Sequence, residues 1–146
     1  MHSEYADKLL ATTRPTVANA ANDPQAVLHA AYDAVVRGDF DVFGESVSDD
    51  VELNICGFGP VNGTWRGRSE VVAATRKNFA ELEHQQPTIE GMISQGDCIA
   101  VLVRESGTLK SNGMAYSIRA VQWFTFAGGK ISKIEEIVAS VWKADA

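Results

Sequence analysis

From Thr88 onward the chain consists of β-branched and aromatic runs, broken by turn-forming residues at Gly96-Asp97, Ser111-Asn112-Gly113 and Gly128-Gly129. Short glycine-bearing breaks between such runs are the strongest local signal for hairpins. They predict four long strands in an antiparallel meander.

The upstream half has a different period. Asp23-Pro24 is a helix start, because an aspartate side chain accepts orphan amide bonds and proline fits the first helical position. Val27, Ala30, Ala31, Ala34 and Val35 then recur at helical spacing until Gly38, which can take the left-handed conformation that closes a helix. A second short helix is expected over Asp41–Val47. Val51, Leu53 and Ile55 alternate with Glu52 and Asn54, the pattern of a strand covered on one face. Gly57, Gly59, Pro60 and Gly63 form a loop before Gly67-Arg68, after which Ser69 caps a helix with Val71, Val72, Thr75, Phe79 and Leu82 inward and its end near His84. Helices segregated on one face of an antiparallel sheet define an α+β fold. Residues 1–22, alanine- and threonine-rich and interrupted by Pro15, are expected to be a flexible arm, with the domain at 23–146.

At 146 residues and 45% hydrophobic, the chain suits one domain, large enough to bury about 68–70% of its unfolded surface without staples. A formal charge of -6 and the lack of a basic stripe argue against nucleic acid as a partner. Cys56 and Cys98 are too few for a disulfide framework, and with three histidines they make no metal cage. Gly57-Phe58-Gly59-Pro60 lacks the helix that a nucleotide-binding loop needs. No cofactor is implied. No apolar run approaches the roughly 20 residues that cross a bilayer, and no basic region precedes an apolar one at the amino end. The expectation is a cytoplasmic protein without membrane contact.

Several segments carry a resemblance: Arg37-Gly38-Asp39, Asp49-Asp50-Val51, the run Gly63-Thr64-Trp65-Arg66-Gly67-Arg68-Ser69-Glu70-Val71, and finally Phe124-Thr125-Phe126 with Gly129-Lys130-Ile131. Together, over roughly Gln25–Val141, the chain resembles the SnoaL-like branch of the NTF2-like superfamily, which includes ketosteroid isomerases, polyketide cyclases and limonene epoxide hydrolases. The resemblance implies a conical barrel, in which a curved antiparallel sheet wraps three helices around an apolar pocket, and a homodimer formed through the sheet. Strand parity adds that if Phe124 and Phe126 face the concave side, so do Gln122 and Ala120, while Arg119, Val121 and Trp123 point outward. An exposed Val121-Trp123 stripe would suit the dimer contact.

The resemblance also supplies candidate site residues. The isomerase general base falls on Ile55, which cannot remove a proton, and its hydrogen-bonding tyrosine falls on Ala31, one residue from Tyr32. Its second acid falls on Gln122, still a hydrogen-bond donor. The epoxide-hydrolase arginine falls on Arg104 and the acid of its last strand on Glu136, whereas its aspartate becomes Ser106 and its water-holding tyrosine and asparagine become Leu53 and Ile55.

The expected catalytic set is therefore Glu136, Gln122 and Arg104, with Arg104 paired to Glu136. Burial would raise the Glu136 pKa and Arg104 would lower it. An Arg104–Glu136 pair that merely closes the sheet is the structural alternative. Tyr32, Leu53, Ile55, Phe58, Trp65, Phe79, Ser106, Tyr116 and Phe124 are candidates to line a substrate pocket, plain core packing being the alternative for the aromatic ones. The expected function is a cofactor-independent isomerase, cyclase or hydrolase acting on an apolar cyclic or polyketide-like molecule. A ligand-binding or dimeric interaction module without turnover is the runner-up, for which Ile55 speaks, and a dimer whose sheet docks another protein is a third reading.

Overall fold

A computed structural model of the protein describes residues 23–57 and 62–143, with the backbone alone for residues 140–143. The expected arm at 1–22 lies outside the described residues. Three helices, α1 (Pro24–Arg37), α2 (Phe40–Glu45) and α3 (Arg68–Ala80), accompany six strands. The strands are β1 (Val47–Cys56), β2 (Gly63–Arg66), β3 (Leu82–Gln95), β4 (Cys98–Leu109), β5 (Ala115–Ala127) and β6 (Lys130–Lys143).

The ends of α1 form as its sequence dictates. Asp23 accepts from the Gln25 amide at 2.9 Å, and Gly38 closes the helix at φ 75°. Its buried face, however, is Leu28, Ala31 and Ala34, while Ala30 is exposed. The long leucine reaches the sheet from a position the alanine-rich pattern did not single out. The second helix starts at Asp39, whose side chain accepts from the Val42 amide, and it ends before Val47, which begins β1 fully buried. For α3 the cap is Gly67 at φ 89°, not Ser69, and the Arg66 amide is met instead by the Glu70 carboxylate at 3.1 Å. That helix ends at Ala80, so Leu82 and His84 belong to β3.

The four-strand meander forms with turns at the three expected breaks, giving the sheet order β2-β1-β6-β5-β4-β3. Two features differ from expectation. The sheet is mixed, because β1 lies parallel to β6, and it is open, since β2 and β3 stand at its two ends rather than pairing into a closed barrel. The hairpin strand β2 forms within the expected loop, its four residues being too few to show a period. Register shifts at β1/β6, β3/β4 and β5/β6 mark bulges, which bend strands and let a sheet curve around helices.

One apolar core joins Leu28, Ala31 and Ala34 of α1 to Val51, Leu53 and Ile55 of β1, Val71 of α3, and the inward residues Ile99, Val101, Phe124, Phe126 and Ile134. Period-two alternation along each strand sends those side chains to the helix side. Among the described residues no helix is long and apolar enough to cross a membrane.

Candidate active site on the concave face

The β4–β5 register places Ile99 against Phe124, Val101 against Gln122, Val103 against Ala120 and Glu105 against Ile118. With Phe124 buried and touching Tyr32 of α1, these residues belong to the face that packs on the helices. On β6 the same face carries Ile134 and Glu136, the latter opposite Gln122 on one side and Ile55 on the other.

A hydrogen-bonded chain runs across this face. The Tyr32 hydroxyl donates to Gln122 Oε1, and Gln122 Nε2 donates to Glu136 Oε2 at 3.1 Å. The amide of Gln122 is thereby used at both ends, which answers the cost of placing a polar residue on an aromatic strand. Burial among apolar neighbours pushes the Glu136 carboxyl above the ordinary carboxylate range, against a smaller opposing effect from the Gln122 bond. Tyr32 also meets Phe124 edge-on, with ring centroids 5.8 Å apart, so packing fixes the helix end of the chain.

A second polar group lies on the same face. Tyr116 Oη donates to Glu105 Oε2 at 2.9 Å, and Gln85 Nε2 reaches Glu105 Oε1 at 3.5 Å. Burial raises the Glu105 pKa, and the negative charge of Glu136 raises it further, so the two acids share one electrostatic environment. The Tyr116 hydroxyl is likewise held above its ordinary range, by burial first and then by Glu105. Gly107 allows this contact: a Cβ there would stand 2.9 Å from the Tyr116 ring and hydroxyl and 2.8 Å from the Glu83 carbonyl oxygen. Neither Glu105 nor Gln85 emerged from the sequence reading. The signal for Glu105 was present, since Ile99, Val101 and Val103 alternate inward and position 105 is the next of that parity.

The expected Arg104–Glu136 pair does not form. Arg104 stands opposite Arg119, so it leaves the sheet on the outer face, where its Nε meets Glu90 Oε1 at 2.9 Å while Arg119 Nη2 meets Glu90 Oε2 at 2.9 Å. Successive strand residues point to opposite faces, and one residue of offset separates Arg104 from the acids. Ser106 shares that outer parity and is opposite Ser117.

The other candidates divide by place. Leu53 and Ile55 are buried in the core, with Trp65 packed against it from β2. Tyr32, Tyr116 and Phe124 belong to the concave face described above. Phe79 instead stacks edge-on against Phe40 of α2 at 5.8 Å, with the Arg76 guanidinium over the Phe40 ring, and is thus a contact between helices. Phe58 lies outside the described residues. No group of three or more potential metal ligands occurs among the described residues.

An α+β architecture of this kind, three helices against a curved mixed sheet, is that of the NTF2-like class of proteins. The SnoaL-like domain family matches residues 28–134, and the chain belongs to that family. Among solved structures, an NTF2-like protein of Burkholderia xenovorans is 23% identical, with a TM-score of 0.69 over 79% of this chain and 88% of its own. A Jannaschia protein assigned as a SnoaL-like polyketide cyclase is 14% identical, with a TM-score of 0.71 over 87% and 91% of the two chains. A Mycobacterium tuberculosis protein in complex with estradiol-17beta-hemisuccinate is 19% identical, with a TM-score of 0.64 over 75% and 88%. Curated protein sequences contain no significant match.

Proposed function

We propose that this SnoaL-like protein is a small-molecule enzyme that needs no cofactor and works by proton transfer on an apolar cyclic or polyketide-like substrate, with Glu136 as the acid–base group. The observation that carries this reading is the half-buried hydrogen-bonded chain from Tyr32 through Gln122 to Glu136. A carboxyl raised above the ordinary carboxylate range by burial and held in place by the Gln122 amide is suited to take and return a proton. Gln122 acts as a positioning residue, and Tyr32 orients Gln122.

Fold neighbours support the substrate class, one being assigned as a polyketide cyclase and another holding a steroid ester. The isomerase base position is an isoleucine here, and Ile55 lies directly opposite Glu136 in the β1–β6 register. The apolar side chain that replaces the base helps desolvate the acid. Arg104 has no part in this reading, because it is engaged with Glu90 on the other face.

The same reading makes the protein a homodimer through the outer face of the sheet. Ile93, Trp123 and Ile137 are 73%, 40% and 55% exposed there, and Leu102 and Val121 share their parity.

The test is deuterium exchange from D2O at the acidic carbon of cyclic 1,3-diketones, followed by NMR. Wild type should accelerate exchange by about 10²–10⁴-fold over buffer, and Glu136→Gln should lose that acceleration while keeping its fold. Ligand binding with no acceleration by wild type would overturn the enzyme reading in favour of a binding module.

A further inference from the structure

Asparagine followed by glycine occurs twice in this chain, at Asn62-Gly63 and Asn112-Gly113, and both asparagines are exposed. The dipeptide is chemically distinct because glycine has no Cβ to keep its backbone nitrogen away from the side-chain Cγ of the residue before it. That nitrogen gives up its proton to solvent and attacks Cγ. The Cγ–Nδ2 bond then breaks, ammonia leaves with a proton taken from solvent, and a succinimide ring remains. Water opens the ring at either carbonyl, leaving aspartate or, where the main chain now runs through the former side chain, isoaspartate. Water is the only co-reactant.

Reaction in a folded chain depends on whether nitrogen and Cγ can be brought together, and the fold restrains the two pairs unequally. Asn112-Gly113 lies in the turn between β4 and β5. The attacking nitrogen there, that of Gly113, donates to the Leu109 carbonyl at 2.8 Å, and the Met114 amide donates to Asn112 Oδ1 at 2.9 Å. The Leu109 amide closes the same turn on the Met114 carbonyl at 2.9 Å. Ring closure at Asn112 has to give up the first bond and turn the side chain that the second one holds.

Asn62 stands just outside the terminal β1–β2 pair, Ile55 opposite Gly63. The strand it precedes has four residues and lies at the edge of the sheet. Its Oδ1 accepts from the Gly57 amide at 3.2 Å, an exposed contact. End pairs of a short edge strand open at the low end of the range of local unfolding. We propose that Asn62 is a deamidation site of this protein and that, in the folded state, it converts ahead of Asn112.

Conversion reaches beyond the strand end. A Cβ on Gly63 would stand 3.2 Å from the Trp65 ring, and Trp65 packs against the apolar core. Isoaspartate at 62 lengthens the main chain next to that contact, so the β1–β2 pairing has to shift. Asn54 and Asn78 are followed by Ile55 and Phe79 and lie inside β1 and α3, which makes them internal references that should remain unconverted.

The test is incubation of the full chain at pH 7.5, folded and in parallel in concentrated urea, with each asparagine followed by tandem mass spectrometry for amide-to-acid conversion. Folded protein should carry at least fivefold more product at Asn62 than at Asn112, the two should agree within twofold in urea, and isoaspartate should exceed aspartate at Asn62. Equal conversion of the two sites in folded protein, or earlier conversion of Asn112, would overturn the proposal. So would an Asn62 that converts in urea but not in the folded chain. A preference for Asn62 that persists unchanged in urea would overturn the role given to the fold. Aspartate without isoaspartate would overturn the ring-closure route.

Discussion

Gln122 and Glu136 are register partners on neighbouring strands, and the amide of the first donates to the carboxylate of the second at 3.1 Å. Because the other end of the same amide accepts from Tyr32, one helix side chain and two strands are tied into a single polar chain inside an apolar core. Removing any member takes a hydrogen-bond partner from a half-buried polar group, and an intramolecular hydrogen bond is typically worth about 0.5–1.5 kcal/mol.

Stability should fall as the pH rises. Glu136 and Glu105 have pKa values raised above the ordinary 4.5, chiefly by burial, so the folded state binds their protons more tightly than the unfolded chain does. Their stabilising contribution is complete below pH 4.5 and fades as the pH passes through the raised values. Thermal melts of wild type should show a declining Tm above pH 5, and Glu136→Gln should flatten that decline. A melt that stays level in wild type would contradict the burial of these acids.

Glu90 has the opposite sign. The hydrogen bond from Arg104 leads in lowering its pKa below 4.5, with Arg119 adding to the effect, so its contribution is present above that value and lost as the pH falls through the lowered one. Glu90→Gln should therefore lower stability in urea unfolding above pH 4.5, while the two proteins converge as the pH falls through the lowered value.

Gly107→Ala should disturb the site without removing any polar group. The added methyl would have to displace the Tyr116 ring or the Glu83 carbonyl. Loss of the Tyr116–Glu105 bond is the expected consequence, read as a shift of the Tyr116 ring signals, with a destabilisation of about 1–3 kcal/mol from overpacking.

Leu28 is fully buried, and Leu28→Ala should cost about 2–5 kcal/mol in urea unfolding. Substituting the exposed Ala30 by serine should change stability by less than about 0.5 kcal/mol. Equal effects at the two positions would contradict the orientation of α1.

Trp123→Glu combined with Ile137→Glu should convert a dimer to a monomer in sedimentation. Both residues are exposed on the outer face, and charge there would have no partner across a self-complementary contact. A wild type that sediments as a monomer would remove the dimer proposal.

Local chemistry alone determined much of this protein. The aspartate and glycine that bound α1, the three glycine-bearing turns of the meander and the inward parity of Gln122, Phe124 and Phe126 all follow from backbone preferences and period-two alternation. Such features depend on residues close in sequence. The tertiary structure decided what no local pattern contains: that β1 runs parallel to β6, that the sheet stays open, and that Arg104 leaves by the face opposite Glu136. It also decided that Glu105 rather than Arg104 shares the environment of Glu136. The reason is register, since a one-residue offset between strands moves a side chain to the other face. That offset is set by long-range pairing of the whole sheet.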